Sequence, residues 1–571
     1  MRIDLVDNLG PEPVVPADIV IVGGGPAGLT IARECAAEGR RVLVLESGAL
    51  KEDEAHEALN RVESVGAPHD AAQIAKRRVY HSINTQLWTH DVQPFGVRCR
   101  ALGGSTNAWA GKSAPFSAID YEKRDWVELS GWPITGEEIA PYVLRAITAL
   151  DLCPADPKER FRSDDLYSFF WQFARSRVNH VDAMRFGEEF QRERHLDVQV
   201  LLDATVTRVS LSKDGARFAG LDVASTSGRR IRVEAPLCVL AASSIENTRL
   251  LMASNDVLPE GIGNGSGQLG RYLMDHVGCE IAEVAEADFA RVWRRFGFVT
   301  VGHGAKSHLF MHGLALTPQA QAREKLMHAA LYFVPLLADD DPWPAVKRLL
   351  TRKSSNMLAD VMCLVRGARY LFAGVGMQLL ARPAFPAAIR KLIVNLAIRF
   401  NPNFVAEEFL AQGLPRKIKG VGVEAICEQA PNPESRIALS DTVDGFGVPL
   451  ARVDWRINPI ERDTLIRLAK LAQQALADAG LGQLNLADWV ADEAPERAVI
   501  IDMAHTMGAT RMSLSPQDGV VDTDCQVHGV SGLYVAGGSV FPTCGHANPT
   551  LMIVALAIRL ADHLNLRLRK S

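Results

Sequence analysis

The sequence predicts an α/β fold, and three observations support this class. Near the N-terminus a β-branched run, a glycine turn, a helical pattern and a second apolar run follow one another, which is typical of a βαβ unit. Comparable short apolar runs, typical of buried parallel strands, recur at 198–202, towards Val209, at 237–241 and at 533–536. The chain has 571 residues, which is enough for two domains with large cores.

The βαβ unit starts with a predicted strand over 17–22 and continues, after the glycine turn, with a predicted helix over 29–38. A second predicted strand over 41–45 ends at Glu46. An acidic residue about 20 positions after the first glycine is expected to bind a ribose hydroxyl. Glu46 is therefore the candidate for this role.

The glycine turn has the G-x-G-x-x-G spacing, with glycines at Gly23, Gly25 and Gly28. In this pattern the first glycine permits a tight turn, the second lets a diphosphate approach the backbone, and the third lets helix and strand pack closely. The N-terminus of the following helix offers N–H groups and a partial positive charge to phosphates. The unit predicts a Rossmann-like dinucleotide site, although NAD and FAD present the same ADP half to it.

A second stretch of small residues, 101–111, contains further candidates for cofactor contacts. Small side chains let a backbone approach a flat ring, and hydroxyl and amide groups supply polar contacts. Taken alone, an ordinary glycine turn explains the stretch equally well. The candidates are Gly104, Ser105, Asn107, Ala108 and Trp109.

These stretches and the C-terminal region together resemble the glucose–methanol–choline (GMC) oxidoreductase family, and most closely its branch with pyranose oxidase and fructose dehydrogenase. The resemblance spans nearly the whole chain, but it is loose over 142–197 and 285–481. The motifs that carry it are the glycine turn, 102–112, 241–251, 504–512, 519–522, 532–536, 539–543 and Ala547-Asn548-Pro549-Thr550.

The resemblance implies a discontinuous FAD-binding domain with an inserted α+β substrate-binding domain, a sheet flanked by helices. The expected cofactor-binding segments are 14–120, 198–285 and 496–571, and the substrate domain takes 121–197 and 286–495. Additional cofactor contacts are expected from Val206, Gly538, Pro549 and Thr550.

The family also implies how the cofactor is attached. Several members bind flavin covalently through a histidine just before the tryptophan of the second stretch, and here that position is Ala108. We therefore expect noncovalent FAD.

The residues expected to carry the chemistry are His505 and Asn548, which match the family motifs position by position. Oxidation of an alcohol moves a hydride from carbon to flavin N5, and the hydroxyl proton leaves at about the same time. A neutral imidazole can accept this proton, because its ordinary pKa of about 6.5 lies near working pH. The amide of Asn548 can hydrogen-bond the substrate oxygen. His546, two residues before Asn548, is a candidate substrate contact.

The expected activity is therefore FAD-dependent oxidation of a CH–OH group, with a sugar, glycoside or polyol as the favoured substrate. An aromatic or other bulky alcohol is the alternative within the same chemistry. A flavoprotein lyase without net redox chemistry and an NAD-dependent enzyme are further alternatives. The electron acceptor, oxygen or a quinone, stays open.

Composition narrows the remaining function classes. A net charge of −5 gives no basic field for nucleic acid. The nine cysteines show no C-x-x-C pair, and the N-terminus lacks the features of a signal peptide, so we expect reduced cysteines and a cytoplasmic location. His303, His308 and His312 are not spaced as metal ligands on a helix, and we expect no metal site.

Residues 341–400 form a basic amphipathic insertion. They contain ten lysines and arginines but only two acidic residues, Asp341 and Asp360, and the basic residues alternate with apolar runs. A solvated basic face or a lid over the active site is the favoured interpretation. Peripheral contact with an anionic membrane is the minority hypothesis.

Overall fold

The computed structural model describes residues 1–9, 16–67, 70–82, 85, 87–177, 182–193, 196–304, 306–338, 340–350, 356–381, 386–403 and 417–570. The strands within these ranges are β1 Arg2–Leu5, β2 Ile19–Val22, β3 Val42–Leu45, β4 Val62–Ser64, β5 Lys112–Ser113, β6 Leu166–Phe173, β7 Val198–Leu202, β8 Thr205–Leu211, β9 Phe218–Ala224, β10 Arg230–Val233, β11 Leu237–Leu240, β12 Val277–Val284, β13 Phe298–His303, β14 Lys306–Leu316, β15 Ala329–Leu337, β16 Ile418–Cys427, β17 Arg436–Val443, β18 Pro449–Asp454, β19 Leu484–Leu486, β20 Ile501–Asp502 and β21 Leu533–Val535.

The helices alternate with these strands along most of the chain. They are α1 Pro26–Ala37, α2 Glu54–Glu57, α3 Ala71–Ser82, α4 Ala118–Tyr121, α5 Gly136–Ala149, α6 Phe186–Phe190, α7 Ser243–Ala253, α8 Phe289–Phe296, α9 Pro318–Glu324, α10 Pro342–Leu350, α11 Met357–Arg366, α12 Ala368–Ala381, α13 Ala387–Phe400, α14 Pro459–Asp478, α15 Asp488–Ala491 and α16 Thr550–Lys570.

The first sheet is parallel and has the strand order β1-β7-β3-β2-β11-β21. Its central strands are buried on both faces, as their continuous apolar sequences require. Helix α1 connects β2 to β3 and packs against α16, which also contacts α5. The glycine turn therefore lies at the carboxyl end of a central strand, where nucleotides bind in folds of this kind.

The second large sheet is antiparallel, with the order β19-β12-β16-β15-β14-β6-β5; β13 pairs with β14, and β20 pairs with β12. Helix α14 packs on this sheet against β12, β15 and β16. The prediction of a parallel nucleotide-binding sheet beside a sheet flanked by helices is confirmed.

One strand prediction is wrong in its partner. The strand that ends near Val209 does not join the parallel sheet, because β8 forms a separate antiparallel sheet with β9 and β10. Strand β12 falls in the segment 198–285 predicted for the cofactor domain, but its hydrogen bonds place it in the second sheet. The sequence also gave no indication of β1, which pairs in parallel with β7. The division into domains stays a prediction.

Candidate active site

A cavity of about 350 Å³ lies between the glycine turn and the segments that carry His505 and Asn548. Its size is within the range of small-molecule sites. Most of the predicted cofactor contacts line it: Gly23, Gly25, Glu46, Gly104, Ser105, Ala108, Trp109, Val206, Gly538, Pro549 and Thr550.

Two predicted cofactor residues do not line this cavity. A Cβ on Gly28 would lie 2.0 Å from the carbonyl oxygen of Gly23, so Gly28 lets helix α1 pack on its own loop. This contact is the one that the third glycine of the motif makes. Asn107 points elsewhere, and its amide donates a hydrogen bond to the carbonyl of Leu102 at 3.3 Å.

The loop residues leave room for a flat or linear ligand beside the backbone. Gly23 has φ +106°, and a Cβ there would lie 2.6 Å from the carbonyl oxygen of Ala241. A Cβ on Gly104 would lie 2.9 Å from the Cα of Gly25, whereas a Cβ on Gly25 would meet nothing closer than 3.9 Å. Side chains are therefore excluded where the two loops touch, and the face of Gly25 stays open. These features fit a dinucleotide whose diphosphate approaches the N-terminus of α1.

Glu46 lines the cavity and also stabilises the glycine turn through hydrogen bonds. Its two carboxylate oxygens accept hydrogen bonds from the N–H groups of Gly24 and Gly48, each at 2.8 Å. Burial raises the pKa of this carboxyl above its usual value. Each oxygen keeps a second lone pair, so a ribose hydroxyl can still donate to Glu46.

His505 and Asn548 are brought together as the sequence predicts. The amide nitrogen of Asn548 lies 2.9 Å from Nε2 of His505. Oδ1 of Asn548 is buried and has no hydrogen-bond partner among the described residues. An unpartnered acceptor at a cavity wall is suited to a hydroxyl group of a ligand.

The backbone of His505 is fixed by a buried carboxylate. Asp275 accepts hydrogen bonds from the N–H of His505 at 2.9 Å and from the N–H of Met503 at 3.0 Å. Between them Ala504 has φ +60°, a left-handed conformation that a non-glycine residue adopts at a cost. Asp275 therefore stabilises a strained turn that orients the histidine.

His276, next to Asp275, fixes the tautomer of His505. Nε2 of His276 lies 2.8 Å from the carbonyl oxygen of Gly545, and a carbonyl only accepts, so this nitrogen must carry the hydrogen. Nδ1 of His276 is then an acceptor for Nδ1–H of His505, at 2.9 Å. It follows that Nε2 of His505 has a free lone pair, which accepts from the amide of Asn548. We call His276, His505 and Asn548 the histidine cluster.

Both rings of the histidine cluster are neutral around pH 7. Burial lowers the pKa of His505 well below its usual value, and the neighbouring His276 and Lys112 lower it further. Burial also lowers the pKa of His276 to about 4. The free lone pair on Nε2 is thus available over the physiological pH range.

His546 does not line the cavity. Its ring is buried against Phe169 at 4.5 Å and His328 at 4.0 Å between ring centroids. Burial lowers its pKa well below the usual value. The structure therefore places this residue in the packing behind the site, and it is not among the residues that line the space for a ligand.

Sequence patterns missed Lys112, Asp275 and His276. Lys112 lines the cavity, and its ammonium group lies 4.2 Å from the ring centre of Tyr332 and 4.7 Å from that of Trp171. Burial lowers the pKa of this ammonium to about 7. The adjacent polar pair at 275–276, between apolar residues on both sides, was the only indication in the sequence of a buried polar function.

Two further properties concern the described residues as a whole. They contain no group of three or more histidine, cysteine or acidic side chains placed to hold a metal ion. None of the helices described is both long enough and apolar enough to cross a membrane.

Comparisons with known proteins identify two family models that match parts of this chain. Residues 431–557 match the family model for GMC oxidoreductases, and residues 18–109 match that for an FAD-binding domain. The chain is 25 % identical to 2-methyl-1,2-propanediol dehydrogenase of Mycolicibacterium austroafricanum, over 96 % of this chain and 95 % of that protein. It is also 25 % identical to the fructose dehydrogenase large subunit of Gluconobacter japonicus, over 58 % of this chain and 47 % of that one.

The fold is that of solved proteins of similar length. A fungal aryl-alcohol oxidase superposes with a TM-score of 0.55 at 14 % identity, covering 97 % of this chain and 99 % of the other. At this level of identity the likeness concerns the fold alone.

Proposed function

This chain is an FAD-dependent oxidoreductase of the GMC family that acts on CH–OH donors, and we propose that His505 is its general base and that its substrate is a polyol or a sugar. The observation that carries this proposal is the hydrogen-bond chain from the carbonyl of Gly545 through His276 to His505. This series of hydrogen bonds leaves Nε2 of His505 without a hydrogen, so that it accepts from the amide of Asn548 in the cavity.

The loop residues would hold the cofactor. The open face of Gly25 and the N-terminus of α1 would receive the diphosphate, and Glu46 would accept a ribose hydroxyl. When bound, the flavin accepts the hydride that leaves the alcohol carbon. Because Ala108 stands where a tethering histidine would be needed, we propose that FAD is bound without a histidyl bond there.

The base acts by exchanging one hydrogen bond for another. A substrate hydroxyl that replaces the amide of Asn548 at Nε2 of His505 can give its proton to that nitrogen. The amide N–H of Asn548 is then free to donate to the substrate oxygen, and its unpartnered Oδ1 can accept from a second hydroxyl. Placing the reacting groups in this way is worth more than the basicity of an imidazole alone.

The polar wall of the cavity supports a substrate with several hydroxyl groups. Tyr80, His81 and Lys112 line it together with His505 and Asn548. These side chains can hydrogen-bond hydroxyls beyond the one that reacts, whereas an aromatic alcohol would leave several of them without partners. The relatives act on a diol and on fructose by their names, which agrees with this choice.

The experiment that tests the proposal is anaerobic mixing of the purified FAD-bound protein with polyols, sugars and aryl alcohols. We expect polyols or sugars to bleach the visible flavin absorption faster than aryl alcohols at equal concentration. If only aryl alcohols bleach the flavin, the substrate is an aryl alcohol and the proposed polyol or sugar class is wrong. If no alcohol bleaches the flavin, the redox proposal fails in favour of a lyase. Reoxidation with oxygen and with a quinone then identifies the acceptor.

We also propose a cytoplasmic location. The nine cysteines lack paired spacing, and none of them forms a disulfide in the structure. Burial raises the pKa of several of them, including Cys238, which keeps these thiols protonated and unreactive. Thiol titration of the native and the denatured protein tests this: the eight buried thiols should react only after unfolding, all nine should react in the denatured protein, and a disulfide would contradict the proposal.

A further inference from the structure

The helices between 342 and 400 expose many of their apolar side chains and bury two charged ones, Asp360 and Arg390. In α11, Asp360 is only 6 % exposed, whereas Leu358 is 75 % and Val365 is 65 % exposed. A helix on the surface of a water-soluble protein shows the opposite arrangement. We call α10 to α13 the helical insertion.

Helix α13 shows the same inversion. In α13, Arg390 is 5 % exposed, and it is buried together with Val394 and Ile398. On its outer face Leu392 is 59 % and Phe400 is 79 % exposed. The insertion holds twelve of the 23 exposed large apolar side chains found among the described residues: Met357, Leu358, Val361, Met362, Val365, Phe372, Val375, Ile389, Leu392, Ile393, Leu396 and Phe400.

The charge of the insertion is strongly positive. Between 342 and 403 the only acidic residue is Asp360, and it is buried. Arg366, Arg369 and Arg399 are exposed beside the apolar side chains. The other basic residues of the segment are Lys347, Arg348, Arg352, Lys353, Arg382, Arg390 and Lys391, of which Arg352, Lys353 and Arg382 lie outside the described residues.

We propose that the outer face of the helical insertion lies on an anionic lipid membrane. Apolar side chains of an interfacial helix enter the boundary between headgroups and acyl chains, and the surrounding cations contact lipid phosphates. The four helices have 9, 10, 14 and 14 residues, fewer than the roughly 20 needed to span a bilayer, so they lie in the plane of the interface.

The positive charge of the insertion favours an anionic membrane over a second copy of the chain as the partner of this face. Pairing two copies through the same face would place the arginines of one insertion against those of the other, because a twofold contact joins identical patches. An anionic lipid surface neutralises the same arginines. The rest of the protein is acidic enough to give a net charge of −5, so the positive charge is local to the insertion.

The test is sedimentation of the FAD-bound protein with lipid vesicles. We expect binding to vesicles that contain phosphatidylglycerol and little binding to vesicles of phosphatidylcholine alone. Raising the salt from about 0.1 to about 1 M shortens the electrostatic range from about 10 to about 3 Å and should weaken binding at least tenfold. Equal binding to both vesicle types, or no binding to either, would overturn the proposal.

Substitutions on the outer face of the helical insertion test whether this face makes the contact with the vesicles. The triple change Leu358→Glu, Phe372→Glu and Phe400→Glu should reduce vesicle binding at least tenfold, because all three side chains are more than 70 % exposed in the insertion. Leu514→Glu, at a position 80 % exposed outside it, is the matched control and should bind as the parent does.

Two other measurements distinguish the competing roles of this face. Light scattering without lipid should give the same mass for the parent and the triple variant; a dimer that only the parent forms would assign the face to a second copy. Alcohol-driven flavin bleaching without vesicles should be equal in both proteins. A loss of bleaching in the triple variant would make the insertion a lid over the active site and would contradict membrane docking.

Discussion

The glycine turn and the histidine cluster line one cavity but are assembled in different ways. The turn is a continuous segment, Gly23–Gly28, whose backbone shape is set by its own spacing and by the strand and helix on either side. In the histidine cluster, the pair His276–His505 is separated by 229 positions and the pair His505–Asn548 by 43. A binding site made of backbone is thus encoded locally, whereas a catalytic site made of side chains depends on the whole fold.

The largest effect on FAD content is expected from a change in the glycine turn. In Gly28→Ala the new Cβ would meet the carbonyl oxygen of Gly23 at 2.0 Å, and neither backbone segment can move without opening the loop. We expect the variant to purify with less than about a tenth of the parent's FAD, because the diphosphate depends on this loop. The measurement is the ratio of visible to ultraviolet absorbance.

The control for this change is Gly265→Ala, where a Cβ has nothing within 4 Å. This variant should keep its full FAD content. A Gly28→Ala protein with normal FAD content would show that the turn tolerates a side chain and that the cofactor is held elsewhere.

An intermediate effect is expected from the acceptor that fixes the tautomer. His276→Leu removes the partner of Nδ1–H of His505, a hydrogen bond whose loss costs about 1 kcal/mol. We expect flavin bleaching to slow about five- to tenfold at unchanged FAD content. His276→Asn offers both a donor and an acceptor and should recover most of the rate. Equal rates in Leu and Asn variants would reduce His276 to a packing residue.

The two regions also differ in how far the sequence predicts them. The strand β2, the helix α1 and the strand β3 follow from apolar runs and glycine spacing, because their contacts lie within one βαβ unit. His505 and Asn548 were found through motif resemblance, and their 2.9 Å contact agrees with that pairing. The prediction that the cofactor is FAD is confirmed by the match of residues 18–109 to an FAD-binding domain.

The rest of the site depends on long-range packing. Lys112 belongs to the two-residue strand β5, which forms only on the edge of β6, so no local pattern marks it. His276 lies directly before β12, and His505 follows β20, 229 positions along the chain, so the two rings meet only where β20 pairs with β12. His546 was a reasonable candidate from its position near Asn548, but packing turns it against Phe169 instead.

The smallest expected effect concerns pH. A base works while its nitrogen is unprotonated, and burial lowers the pKa of His505, so the nitrogen stays bare as the pH falls through 6.5. Lys112, with a pKa of about 7, is a cavity group that titrates in this range. In Lys112→Met we therefore expect the rate of flavin bleaching to change less than about twofold between about pH 6 and 8. If the bleaching rate of Lys112→Met still falls as the pH is lowered through about 6.5, His505 titrates with the ordinary pKa of a histidine.

The most direct test of the proposed base is the rate of anaerobic flavin bleaching in His505→Ala at saturating alcohol. The glycine turn is untouched in this variant, so its FAD content should equal that of the parent. Loss of a positioned general base should slow bleaching by about 10²–10⁴-fold. Full FAD content with a rate within a few-fold of the parent would contradict the assignment of His505 as the base.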